Sequence, residues 1–146
     1  MENSRIKHLQ SFIGKHFTDS LSPYAHWLNG IVVAGDEKSV EFEFLVRKDM
    51  TSPFGMLHGG VLCGMIDDCM GINFLNLGIE HFYPTINLNV EFFRSAKEGE
   101  TVYVKTQVVK LGKTIINIKA EVLNGQQKML ASAASILAVS NIKISL

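Results

Sequence analysis

Cysteine is scarce in this chain: only Cys63 and Cys69 occur among 146 residues. They fall in one apolar segment, and if it is helical, six residues of rise hold them ~9 Å apart, beyond the reach of a disulfide. No histidine or carboxylate cluster at ligand spacing surrounds them, so they read as small buried apolar residues and no metal site is expected. Net charge is also missing. Fourteen basic residues balance fourteen acidic ones, so no global field favours nucleic acid or an anionic membrane. The N-terminus, Met-Glu-Asn-Ser-Arg, lacks the apolar stretch of a secretion signal, which makes the cytoplasm the expected location. The longest apolar run, Val61 to Leu77, is interrupted by Asp67, Asp68, Asn73 and Asn76. Adjacent carboxylates are costly in lipid, so a buried soluble helix is expected there rather than a membrane span. Repeats, linkers and low-complexity tracts are absent, and residues 1–146 read as one domain.

Apolar residues make up 47% and charged residues 19%, enough to build one compact core. Residues 5–17 place Ile6, Leu9, Ile13 and Phe17 at helical spacing behind a cap at Asn3 or Ser4. A second short helix is expected after Ser22-Pro23, stopped at Asn29-Gly30, so residues 1–30 form a helical lead-in. Ile31 to Ala34 reads as a strand. The next strand puts Val40, Phe42, Phe44 and Val46 on one face. A central helix is expected over 57–77. Beyond it, Thr85–Phe93 alternates with Ile86, Leu88, Val90 and Phe92 on one face. Thr101–Val109 and Thr114–Val122 repeat the pattern, Asn124-Gly125 signals a two-residue hairpin, and a last strand is expected over about 127–139. A helix apolar on nearly every side must be surrounded. One antiparallel sheet of about six strands wrapped around that helix satisfies both patterns, an α+β architecture whose outer sheet face, with Lys105, Gln107, Asn117, Lys119 and Glu121, can be wet.

Two features carry chemistry. Gly59 and Gly60 open the central helix, exposing backbone N–H groups at the positive end of its dipole, where an anion or oxyanion can bind. Asp67 and Asp68 lie in the middle of that helix, where burial of a carboxylate demands a cause. Neighbouring helix positions diverge by about 100°, so only one of the two is expected to face a given site.

The run Leu57-His58-Gly59-Gly60, followed after six residues by Asp67, resembles the signature of the PaaI-type hotdog-fold acyl-CoA thioesterases. The resemblance covers nearly the whole chain, including Phe92-Phe93-Arg94-Ser95-Ala96-Lys97 and Lys110-Leu111-Gly112-Lys113-Thr114. It implies a hotdog fold and hydrolysis of acyl-CoA to the free acid and CoA, without a cofactor, by a homodimer or homotetramer with shared active sites. In that frame Asp67 is general base or nucleophile, the Gly59 N–H polarises the thioester carbonyl, and Thr85 orients the water or the carboxylate. Arg94, Lys97, Lys110 and Lys113, with Phe92 and Gly112, would hold the CoA moiety, and His58 and Gly60 flank the carbonyl site; each lysine is equally well read as a solvated turn residue. His58, beside two glycines at a helix start, fits a structural role better than that of a base. Relatives often carry Asn or Gln six residues before the histidine, where this chain has Ser52, too short to supply an amide N–H. The alternative reading is a hotdog protein that binds acyl-CoA or fatty acid without hydrolysing it, but the Asp67 carboxylate argues for chemistry.

Overall fold

The computed structural model describes residues 3–144. Two short helices lead in, α1 (Ser4–Gln10) and α2 (Pro23–Leu28). The Asn3 side chain caps α1 by accepting from the Arg5 N–H, and Ser22 caps α2 by accepting from the Ala25 N–H, with Pro23 at the first position. Six strands follow, β1 (Ile31–Gly35), β2 (Ser39–Leu45), β3 (Thr85–Phe92), β4 (Thr101–Leu111), β5 (Ile115–Asn124) and β6 (Met129–Ala138). The long helix α3 (Gly59–Asn76) falls between β2 and β3. All pairings are antiparallel, in the order β1-β2-β4-β5-β6-β3. This is the hotdog arrangement: one curved sheet around one helix.

Alternation decides which strand faces turn inward. Val40, Phe42, Phe44 and Val46 are buried, as are Val102, Val104 and Val108, and Ile116, Ile118, Ala120 and Val122. They close over Met65, Ile66, Cys69 and Met70 of α3. Thr106 breaks the apolar face of β4 for a reason: its Oγ1 accepts from Asn73 Nδ2 at 3.0 Å, and the same amide donates to the Lys38 carbonyl at 3.1 Å. A buried amide with two partners locks the helix to β2 and β4 in one rotation.

Four expectations need correction. The first helix stops at Gln10 rather than running to Phe17. Gly14 turns the chain at φ +80°, and Ile13 and His16 bridge to Val32 and Ile31. Hydrogen bonds to the open edge of β1 thus outweigh the helical period, and Ile13 is left 49% exposed. The 124–125 turn is longer than two residues. Asn124 Oδ1 accepts from the Gln126 and Lys128 N–H groups, and Gln127 takes the positive φ of 61°. The central helix begins at Gly59 and ends at Asn76, short of the expected span at both ends. Finally, β3 alternates but is not half-buried: Ile86 is 59% and Phe92 53% exposed. The strand lies at the end of the sheet, paired only with β6.

Candidate active site

Asp67 projects from the middle of α3 toward the start of β3, and Thr85 Oγ1 donates to Asp67 Oδ1 at 2.9 Å. The two residues share a cavity of about 460 Å³ with Asp68, Gly71, Ile72, Leu75, Phe82 and Tyr83. The hydroxyl fixes one carboxylate oxygen, and Oδ2 has no hydrogen-bond partner among the described residues, an arrangement suited to holding and deprotonating a water. The expected burial is not met at Asp67, which is exposed on the helix and carries little desolvation cost in the chain; Asp68 is the partly buried one of the pair.

Asp68 borders the same cavity, against the expectation that adjacent helix positions serve separate sites. The cavity curves around the helix, so two side chains about 100° apart can both reach its wall. Their environments differ. Burial first, and the neighbouring Asp67 charge second, push the Asp68 carboxyl up to about 6, against a hydrogen bond from Ser22 that lowers it. Tyr24 packs beside this carboxylate, and its hydroxyl is raised above its ordinary value by burial and then by Asp68 and Cys63. Gly64 makes room for the Tyr24 ring, since any Cβ there would collide with the phenol. The sequence marked Ser22 only as the residue before a short helix and gave Tyr24 no role. Their distance from Asp68 along the chain left no local signal.

At the other end of α3, Gly59 faces a second cavity of about 250 Å³ with Leu57, Leu62, Phe92, Arg94 and Ala96. A Cβ on Gly59 would lie 3.5 Å from the Phe92 ring. His58 is the N-cap of α3, its Nδ1 accepting from the Gly60 N–H at 2.9 Å. That bond consumes the Gly60 donor and gives His58 a capping role. The Gly59 N–H has no hydrogen-bond partner among the described residues, so it is the donor the helix start presents to the cavity.

Ser52 lies in the loop before α3 and lines neither cavity. Its hydroxyl accepts from the Phe54 N–H at 3.3 Å. The cationic candidates divide between the ends of the sheet. Arg94 and Lys97 follow β3 on the Gly59 side; the Lys97 N–H is held by Glu100 at 2.8 Å. Lys110 lies near the end of β4, and Gly112 and Lys113 form the β4–β5 turn, where Tyr83 Oη donates to the Lys113 carbonyl at 3.0 Å. Gly112 is needed in that turn because a Cβ would stand 2.7 Å from the Ile115 carbonyl oxygen. No group of three or more His, Cys, Asp or Glu side chains among the described residues could hold a metal ion. No helix among them is long and apolar enough to cross a membrane.

Fold and site define a hotdog protein with a carboxylate-bearing central helix. Residues 54–131, more than half of the chain, match the family model described as Thioesterase superfamily, and the chain belongs to that superfamily. Among characterised sequences it is 26% identical over 82 residues to the Homo sapiens acyl-coenzyme A thioesterase 13, a match spanning 56% of this chain and 59% of that relative's length. Among solved structures, the E. coli PaaI protein from the phenylacetic acid degradation operon superposes with a TM-score of 0.84 at 18% identity, covering 99% of this chain and all of that one. A Streptococcus mutans protein bound to acetyl CoA superposes with a TM-score of 0.77 at 18% identity, over 89% of this chain and all of the other.

Proposed function

We propose that this protein hydrolyses acyl-CoA thioesters and that each active site is built from two copies of the chain. The observation that carries the hydrolytic reading is the Asp67 carboxylate held by Thr85 at 2.9 Å on the wall of a cavity. Membership of the thioesterase superfamily supports the reaction class, and the acetyl CoA bound to the S. mutans neighbour supports the choice of thiol. Water held at Asp67 Oδ2 attacks the thioester carbonyl carbon as its proton passes to the carboxylate. The C–S bond then breaks and the CoA thiolate takes up a proton.

The developing oxyanion needs a donor, and the Gly59 N–H at the positive end of the α3 dipole is the candidate. Within one chain Gly59 and Asp67 are eight helix residues apart, a rise of ~12 Å, whereas both must act within ~3 Å of one carbonyl. The edge strand β3 resolves this. Thr85, bonded to Asp67, opens the strand, and Phe92, against Gly59, closes it. Two copies pairing their β3 edges antiparallel about the Leu88–Asn89 midpoint set Thr85 of one opposite Phe92 of the other. The Asp67 half of one chain then meets the Gly59 half of its mate, twice per dimer. The same pairing would cover Ile86 and Phe92, whose exposure is otherwise unfavourable.

Release of free CoA thiol from an acyl-CoA tests the reaction. Asp67→Ala should lower kcat by about a hundredfold or more with KM and melting temperature nearly unchanged. Full activity in that variant would overturn the assignment.

A further inference from the structure

The cavity at Asp67 does not end at the carboxylate. It follows the last turns of α3, and Ser20, Leu21, Ile72 and Leu75 wall it on one side and a second cavity of about 570 Å³ on the other. This second chamber, the larger of the two, lies between α1, residues 17–21 and the end of α3. Its inner surface is formed by Leu9, Phe17, Leu21, Ile72 and Leu75. Charged groups at its rim are paired: Arg5 Nη1 donates to the Leu75 carbonyl at 3.0 Å, and His8 Nε2 lies 3.1 Å from Asp19 Oδ2; the buried Asn76 Nδ2 at its edge has no partner among the described residues. A largely apolar interior whose charged rim is paired, sharing its wall with a cavity that holds a candidate catalytic carboxylate, suits an aliphatic chain better than a charged tail.

We infer that this trough is the acyl subsite and that the substrate is a fatty acyl-CoA with a chain long enough to pass Leu21 into the α1 chamber. The inference rests on the hydrolytic reading for its placement of the carbonyl at Asp67. Length follows from the helix. Ile72, the first α3 residue common to both chambers, is five residues beyond Asp67, a rise of ~7.5 Å, and Leu75 is eight beyond, ~12 Å. A staggered carbon chain advances about 1.25 Å per bond, from C–C bonds of about 1.5 Å. About six carbons therefore reach the boundary, and about ten lie fully across it. Shorter acyl groups use the first chamber alone. Leu21 and Leu75 are the specificity-determining residues, because both stand where the chambers join.

Equilibrium binding of non-hydrolysable S-alkyl-CoA thioethers, two to sixteen carbons long, tests the subsite independently of turnover. Each methylene buried in an apolar site is worth a factor of about four. S-decyl-CoA should therefore bind at least tenfold more tightly than S-hexyl-CoA, and kcat/KM for decanoyl-CoA should exceed that for hexanoyl-CoA. Leu21 is 77% exposed, so Leu21→Asp disturbs no core packing; it should collapse the decyl-to-hexyl ratio toward one. Leu75→Trp, filling the junction from the helix side, should do the same. Circular dichroism and melting temperature verify that both variants fold. A flat affinity from S-hexyl to S-decyl with normal hydrolysis of short acyl-CoAs would overturn the subsite and leave the enzyme standing. Chain-length-dependent binding that both variants abolish, without hydrolysis of any acyl-CoA, would uphold the subsite and overturn the reaction. Ratios that persist in two folded variants would place the chain elsewhere.

Discussion

The two ends of α3 present two kinds of chemistry. At the start, the Gly59 site is made of backbone: an N–H without a partner among the described residues, beside the Phe92 ring, and a histidine that caps the next N–H. In the middle, the Asp67 site is made of side chains: a carboxylate, a threonine hydroxyl and a second carboxylate behind them. One end can stabilise negative charge and the other can remove a proton. Neither does both, and the exposed strand β3 runs from one to the other. On the proposed reading, the contrast means that one chain carries both groups of the reaction but not within reach of one carbonyl.

The largest effects should come from breaking either end. Gly59→Pro removes the backbone donor at the first helical position, where proline is tolerated, and His58 already has the extended ψ of 132° that a following proline requires. Loss of one oxyanion donor should cost about a hundredfold to a thousandfold in kcat, comparable to Asp67→Ala, with the melting temperature showing whether the helix survives. Thr85→Val should cost less, about tenfold by analogy with the loss of one hydrogen bond to a charged group. Combined with Asp67→Ala it should add almost nothing, because it acts through that carboxylate. A full tenfold loss on top of Asp67→Ala would mean that Thr85 touches substrate by itself.

Asp68 sharpens the comparison between neighbours. Its folded-state value of about 6 lies above the ordinary 3.8, so the fold favours the neutral acid. Whatever stability that form contributes is present below pH 4 and is lost as pH rises through about 6. Asp68→Asn keeps the shape without the charge. Its unfolding free energy, followed by denaturant titration, should match wild type near pH 4 and exceed it at pH 7 by of order 1–2 kcal/mol once solvent screening is allowed for. Turnover should fall far less than for Asp67→Ala. A variant less stable than wild type at pH 7 would show that the charge is compensated by Ser22 and its surroundings. Smaller still, Lys110→Ala or Lys113→Ala should raise KM for acyl-CoA a few-fold and weaken its salt dependence, leaving acyl-pantetheine unaffected.

Much of this was legible in the residues. The inward faces of β2, β4 and β5 follow strict alternation, and a helix apolar all round allowed little besides a wrapping sheet. Asp67 stood out because a mid-helix carboxylate among apolar neighbours needs a reason, and Thr85 because the resemblance paired it with that aspartate. What escaped depended on contacts between distant parts of the chain. The environment of Asp68 comes mainly from burial, to which contacts with the separate helix α2 belong, and Ser22 at the start of that helix hydrogen-bonds it. Residues 11–17 keep a helical period, yet the open edge of β1 captures them. The pattern of β3 announces a buried face, but the described residues leave Ile86 and Phe92 more than half exposed, and alternation alone cannot distinguish a core from an interface. The α1 chamber escaped for a similar reason, since Leu21 and Leu75 are ordinary apolar residues until packing sets them at a junction.

The central claim, that the two ends of α3 meet only across a pair of chains, is tested most directly by mixing. Asp67→Ala and Gly59→Pro proteins, each nearly inactive, are unfolded together and co-refolded, and the heterodimer fraction is verified by native mass spectrometry. A mixed dimer holds one intact composite site and one doubly damaged one, so random pairing, which makes half the dimers mixed, should restore about a quarter of wild-type activity. Verified heterodimers of two folded variants that remain inactive would place Gly59 and Asp67 in the same chain's site and contradict the account.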